Sequence, residues 1–208
     1  MPALPARDVR LPEAGLLRAA LVVYGAAGAV ALVVLALRER GALIARLLGE
    51  QPVVGLAAGL AVGVAAAAAS RALVAGWRSA RKAEDALAEL IGPLSGRACL
   101  VLAAASGVGE ELVFRGVLQP WLGLWITSAA FGAVHVPPRR ELRLWPVMAF
   151  VMGLALGVLL EGTGGVLAPV VAHATVNAIN LRRLAALARA RDLADRLGPV
   201  VPGAPASP

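Results

Sequence analysis

Apolar residues fall in long blocks separated by short polar or Gly/Pro-rich breaks. Six blocks stand out: about Gly15 to Leu37, Val53 to Trp77, Ala98 to Leu118, Leu122 to Val136, Leu144 to Leu160 and Val166 to Leu181. A helix needs roughly 20 apolar residues to cross bilayer hydrocarbon. The pattern therefore predicts an all-α fold, a polytopic membrane helical bundle of about six transmembrane helices. The first block is too long for a signal-peptide core and reads as a retained span. The short fourth and sixth blocks suit helices buried among others, or a thinned bilayer.

Between the second and third blocks, Ser79 to Gly96 interleaves Arg81, Lys82, Glu84, Asp85 and Glu89 with Ala83, Ala86, Leu87, Leu90 and Ile91. That alternation predicts an amphipathic interfacial helix ended by Gly92-Pro93. Arg182 to Leu197 has a similar character. Gly198 to Pro208 is rich in Pro and Ala and reads as disordered. The chain divides into a two-span region with the interfacial helix (1–97), a core (98–181) and a basic tail (182–208).

Composition agrees with this class. Hydrophobic residues make up 59% of the chain, above the roughly one half of soluble domains. Arg and Lys total 20, Lys82 being the sole lysine, and this usage with abundant Ala and Gly suggests a GC-rich bacterial genome. The net charge of +7 invites a nucleic-acid partner. The basic residues lie between apolar blocks and not on one soluble face, which excludes that partner. They read instead as topology signals. With six spans, Arg7, Arg10, Arg78, Arg81, Lys82, Arg97, Arg139, Arg140, Arg143 and the arginines of the tail share one side. Only Arg38, Arg40 and Arg46 fall on the other, so both termini are expected in the cytoplasm, in a bacterial cytoplasmic membrane. Cys99 is the single cysteine and excludes an intrachain disulfide.

The informative residues are those that hydrocarbon should reject. An ionisable side chain in a span costs several kcal/mol, so it needs a partner or a purpose. The third block carries Glu110 and Glu111, followed by Arg115. On a helix Glu111 and Arg115 share a face and can neutralise each other. Glu110 points about 100° away and has no local partner. It must find one on another helix, take up a proton or contact water. Both histidines of the chain also fall in apolar blocks: His135 closes the fourth, and His173 lies midway along the sixth with Asn177 one turn on. Three helices thus each bring polar groups into hydrocarbon, and one shared wet cavity satisfies them all. His135 is the least comfortable member because it sits at a span end.

Glu-Glu-x-x-x-Arg (Glu110, Glu111, Arg115), Phe-x-x-x-His (Phe131, His135) and His-x-x-x-Asn (His173, Asn177), in that order on successive blocks, resemble the CAAX-protease and bacteriocin-processing family, which includes the Ras converting enzyme. The likeness covers about Ala98 to Leu181. It implies an intramembrane endopeptidase in which Glu110 activates water with help from His135, while His173 and Asn177 stabilise the oxyanion. Glu111, Arg115 and Phe131 would support the site. The implied partners are a membrane protein or peptide substrate and the lipid bilayer.

A zinc version remains open on residue types alone, since Glu110, Glu111, His135 and His173 could act as ligands. The metal-free mechanism is preferred, because the chain lacks a His-Glu-x-x-His helix and Asn177 is a poor zinc ligand. Other readings are a haem held by His135 and His173, a proton-relay transporter, and a catalytically silent scaffold or immunity protein. The first leaves the Glu-Glu pair and the His-x-x-x-Asn spacing unexplained, and no internal repeat supports the second.

Overall fold

A computed structural model describes residues 12–137 and 139–197. The tail Gly198 to Pro208 and the topology signals Arg7 and Arg10 lie outside the described residues. The helices are α1 (Glu13–Glu39), α2 (Leu43–Leu48), α3 (Pro52–Gly76), α4 (Arg78–Ile91), α5 (Gly96–Glu111), α6 (Gln119–Val134), α7 (Trp145–Thr163) and α8 (Leu167–Leu197). A π-helical segment, Leu112–Leu118, joins α5 to α6, and a single 3-10 turn, Arg140–Leu142, precedes α7. No strand occurs among the described residues.

By length and composition, three stretches can each cross a membrane: α1, Leu43–Gly76 and Arg140–Thr163. The bent pair formed by α4 and Gly96–Val134 makes a fourth. Only 17–28% of each apolar window of the three is buried, so their outer faces suit lipid and not water.

Small residues let the helices approach. On α3, Gly55, Gly59, Gly63 and Ala67 form a buried stripe. A Cβ on Gly59 would lie 2.5 Å from the Ala168 carbonyl oxygen, and one on Gly63 2.6 Å from that of Ala172. Helix association in lipid depends on this close packing, because hydrocarbon supplies no hydrophobic drive between helices. The contacts rise together along α3 and α8, so the two run parallel. Helices α1 and α5 are parallel too. They are latched at their starts, where the Glu13 carboxylate accepts from the Ser95 N–H at 2.7 Å and its hydroxyl at 2.9 Å. Further along they meet at Gly28 and Gly109. Helices α5 and α8 run antiparallel, as do α6 and α7, with Gly132 against Pro146 and Phe150 and Gly153 against Ser128.

The sequence places a connection near Pro120, but the chain is helical through it and reverses at Gly123 instead. Proline is accommodated in a first helical turn, where its missing N–H is not needed. Gly123 has φ 74°, a left-handed conformation that costs glycine little. Because Pro120 has no N–H, it cannot donate to a carbonyl one turn back. Two carbonyls of the π segment accept from arginines of other helices: Arg46 donates to Arg115 O at 3.1 Å, and Arg38 to Val117 O at 3.4 Å. Two of the three arginines assigned to the outer side by charge thus also hold the π segment.

The amphipathic α4 forms as expected and stops at Gly92, whose φ is 73°. It is fastened by ion pairs from Arg183 to Glu84, Arg191 to Asp85, and Arg139 to Glu89. The stretch Arg182 to Leu197 continues α8 without a break, and this length presents the arginines to α4.

Candidate active site

Helix α5 carries Ser106 and Glu110 on one face and Glu111 on the next, and two other helices meet them. From α8, His173 Nδ1 lies 2.8 Å from Glu111 Oε1, and both side chains are buried. One turn further, the Asn177 amide donates to Ser106 Oγ at 3.0 Å. From the end of α6, His135 Nε2 lies 3.7 Å from Glu110 Oε2. That gap is longer than a direct hydrogen bond. Glu110 Oε2 is buried and has no hydrogen-bond partner.

The Phe131 ring ties these groups together. Its centroid lies 4.6 Å from that of His135, 5.9 Å from His173 and 5.0 Å from Phe114. The Arg115 guanidinium sits 4.9 Å from the same ring, a cation–π placement. Arg115 is fully buried. Its Nε lies 3.3 Å from Glu111 Oε2, and its Nη2 donates to Gly153 O on α7 at 2.9 Å.

All seven residues picked from the sequence therefore meet in one region. The expected helix-end position of His135 is observed, since it is the first residue past α6. Val134 and Val136 on either side are exposed, but the His135 ring turns inward, is half-buried and reaches to 3.7 Å from Glu110. Two placements sharpen the sequence reading. Glu111 bonds to His173 as well as to Arg115, so it is more than a structural partner of the arginine. Glu110 faces His135 and so is not isolated. Two residues were missed. Ser106 holds Asn177, and its spacing of one helical turn before Glu110 was the available signal. Trp145 stacks beside His135 with centroids 6.5 Å apart, and nothing in the local sequence marks it.

The hydrogen bonds fix the ring nitrogens. A carbonyl can only accept, and His135 Nδ1 lies 2.6 Å from Phe131 O, so Nδ1 carries the proton. In neutral His135 the lone pair is then on Nε2, toward Glu110. The contact with the Glu111 carboxylate likewise puts a proton on His173 Nδ1. The polar groups form two separate pairs, Glu110 with His135 and Glu111 with His173. Among the described residues no group of three or more His, Cys, Asp or Glu side chains is arranged to hold a metal ion. Two cavities lie away from the site. One, about 340 Å³, is an apolar groove between α1 and the π segment. The other, about 560 Å³, is lined by Glu39, Arg46, Glu50 and Glu161 where α2 nears the α7–α8 turn.

Residues 94–179 match a family model described as "Type II CAAX prenyl endopeptidase Rce1-like". This segment is similar to the CAAX-protease family that its three motifs resemble, and it contains every residue of the cluster described above. The apolar helices and this segment make the chain an integral membrane protein. A Bacillus subtilis (strain 168) protein described as "Uncharacterized protein YpbD" is 39% identical over 72 residues, 34% of this chain and 36% of the relative. The match thus spans about a third of that relative's length. No solved structure matches.

Proposed function

We propose that this protein is an intramembrane endopeptidase that hydrolyses a peptide bond of a membrane-associated protein or peptide precursor with water activated by Glu110. The observation that carries the reading is the convergence of Glu110, His135, Glu111 and His173 from three helices. Water bound between Glu110 and His135 gives one proton to the Glu110 carboxylate and points its other O–H at His135 Nε2. The water oxygen adds to the substrate carbonyl carbon. The resulting oxyanion is met by the Asn177 amide and by His173. Because His173 Nδ1–H is spent on Glu111, its oxyanion donor is Nε2–H of the imidazolium. Glu110 and Glu111 together balance the charges of Arg115 and that imidazolium, so the apolar surroundings hold no net charge. The carbon–nitrogen bond then breaks as Glu110 returns its proton to the leaving amine. Preplaced donors of this kind are worth several kcal/mol in a dry site. No step requires a metal, and the substrate belongs to the leader-peptide or membrane-tail class.

The packing directions support six crossings. Spans one and three pack parallel, as do two and six, while three and six, and four and five, pack antiparallel; strict alternation across a bilayer produces that set. The charge bias then puts both termini in the cytoplasm of a bacterial cell.

The test is quantitative proteomics of new protein N-termini in cells that carry either the wild type or Glu110→Gln at equal abundance. The expected result is a small set of termini that depends on Glu110 and is also lost with His173→Ala. Identical termini with wild type and both variants would overturn the reading.

A further inference from the structure

Tyr24 is the single tyrosine of the chain. It lies in α1, outside the family-matched segment 94–179. Its neighbours Leu21, Val22 and Val23 are exposed on the outer face, while Tyr24 turns inward and is half-buried. Gly109 lets it in: a Cβ there would lie 2.7 Å from the Tyr24 carbonyl oxygen and 2.8 Å from its Cβ. Glu110 follows directly, and the Tyr24 phenol lies beside its carboxylate. Glu110 Oε2 is the oxygen turned toward His135, without a direct hydrogen bond, which leaves Oε1 as the oxygen for a second donor. A phenol O–H is a donor that a carboxylate can accept, and a phenol body packs in lipid as a phenylalanine ring does.

We propose that Tyr24 is a positioning residue of the site, its hydroxyl donating to the Glu110 carboxylate and aiming the other carboxylate oxygen at the attacking water. This rests on the glutamate-activated reading above. It gives α1, which carries no family motif, a share in the chemistry. An unheld carboxylate in a wet cavity samples several rotamers, and misplacement of a base costs rate without costing substrate affinity.

The experiment has a physical arm and a kinetic arm, both on the full-length protein in detergent. Tyrosine labelled with ¹³C at the hydroxyl-bearing carbon gives a single side-chain resonance, because there is one tyrosine. Glu110→Gln is expected to move that resonance beyond its linewidth, and Glu161→Gln to leave it in place. In the kinetic arm, Tyr24→Phe keeps the packing against Gly109 and removes only the hydroxyl. With a synthetic peptide spanning a bond found by N-terminal proteomics, kcat should fall about ten- to hundredfold with KM unchanged, the range expected for one hydrogen bond to a charged group. Thermal unfolding of the variant should match the wild type. A resonance indifferent to Glu110→Gln, or a wild-type kcat for Tyr24→Phe, overturns the role of Tyr24 while leaving the protease reading intact. If no Glu110-dependent bond is found, the protease reading fails, and the resonance still decides whether the two side chains are coupled.

Discussion

At the scale of single residues, Arg115 carries the greatest structural risk. It is buried among Glu111, the Gly153 carbonyl and two phenylalanine rings. Arg115→Ala leaves Glu111 without its cation, and breaking a buried pair in this way costs about 3–5 kcal/mol. Thermal unfolding in detergent should show a large drop, and Arg115→Lys should rescue only part of it, because an ammonium lacks the planar fork. Ser106 and Asn177 should behave differently. Asn177→Ala removes the proposed oxyanion donor and should lower kcat about 100- to 1,000-fold with little loss of stability. Ser106→Ala only frees the amide and should cost much less. The cluster was legible because each member except Phe131 is a polar residue in an apolar block, where lipid makes an unpartnered group conspicuous. Ser106 was marked only by its spacing of one helical turn before Glu110, and Trp145 not at all, since a tryptophan in a span is unremarkable until its neighbour from another helix is known. Tyr24 is in the same position.

At the scale of elements, the apolar blocks correspond to helices with small shifts, because block length and hydropathy depend on local sequence alone. The turn at Gly123 and the π segment were missed. The π segment's carbonyls are met by Arg38 and Arg46, partners far away in sequence, and the turn rests on a left-handed glycine that looks like any other in the chain. Arg46→Ala should therefore destabilise the π segment that follows Glu111, and hydrogen exchange over 112–118 should rise. Parallel packing of α3 on α8 depends on bare glycine surface. Gly63→Val would drive its side chain into the Ala172 carbonyl and Thr175. Overpacking of this kind typically costs about 1–3 kcal/mol, so a lower unfolding temperature is expected, whereas Gly25→Ala, which meets nothing, should be neutral.

At the scale of the whole molecule, α1 and α3 frame a core of α5 to α8 that presents polar groups from three helices to one place. Arginines that sequence reasoning counts as free topology signals are engaged: Arg183 and Arg191 with α4, Arg38 and Arg46 with the π segment. Their bias still favours cytoplasmic termini, because a charge that is paired after insertion was exposed during it. Reporter fusions at Gly41 and after Leu197 should therefore give opposite sides of the membrane. The central claim is that this chain alone cuts a peptide bond with Glu110 as base. The most direct measurement is cleavage by purified protein in liposomes of a peptide spanning a bond identified in cells. The wild type should cut that bond at a rate unchanged by a chelator, and folded Glu110→Gln should be slower by a factor of 100 or more, the contribution expected of a general base. Equal rates for wild type and Glu110→Gln would contradict the account.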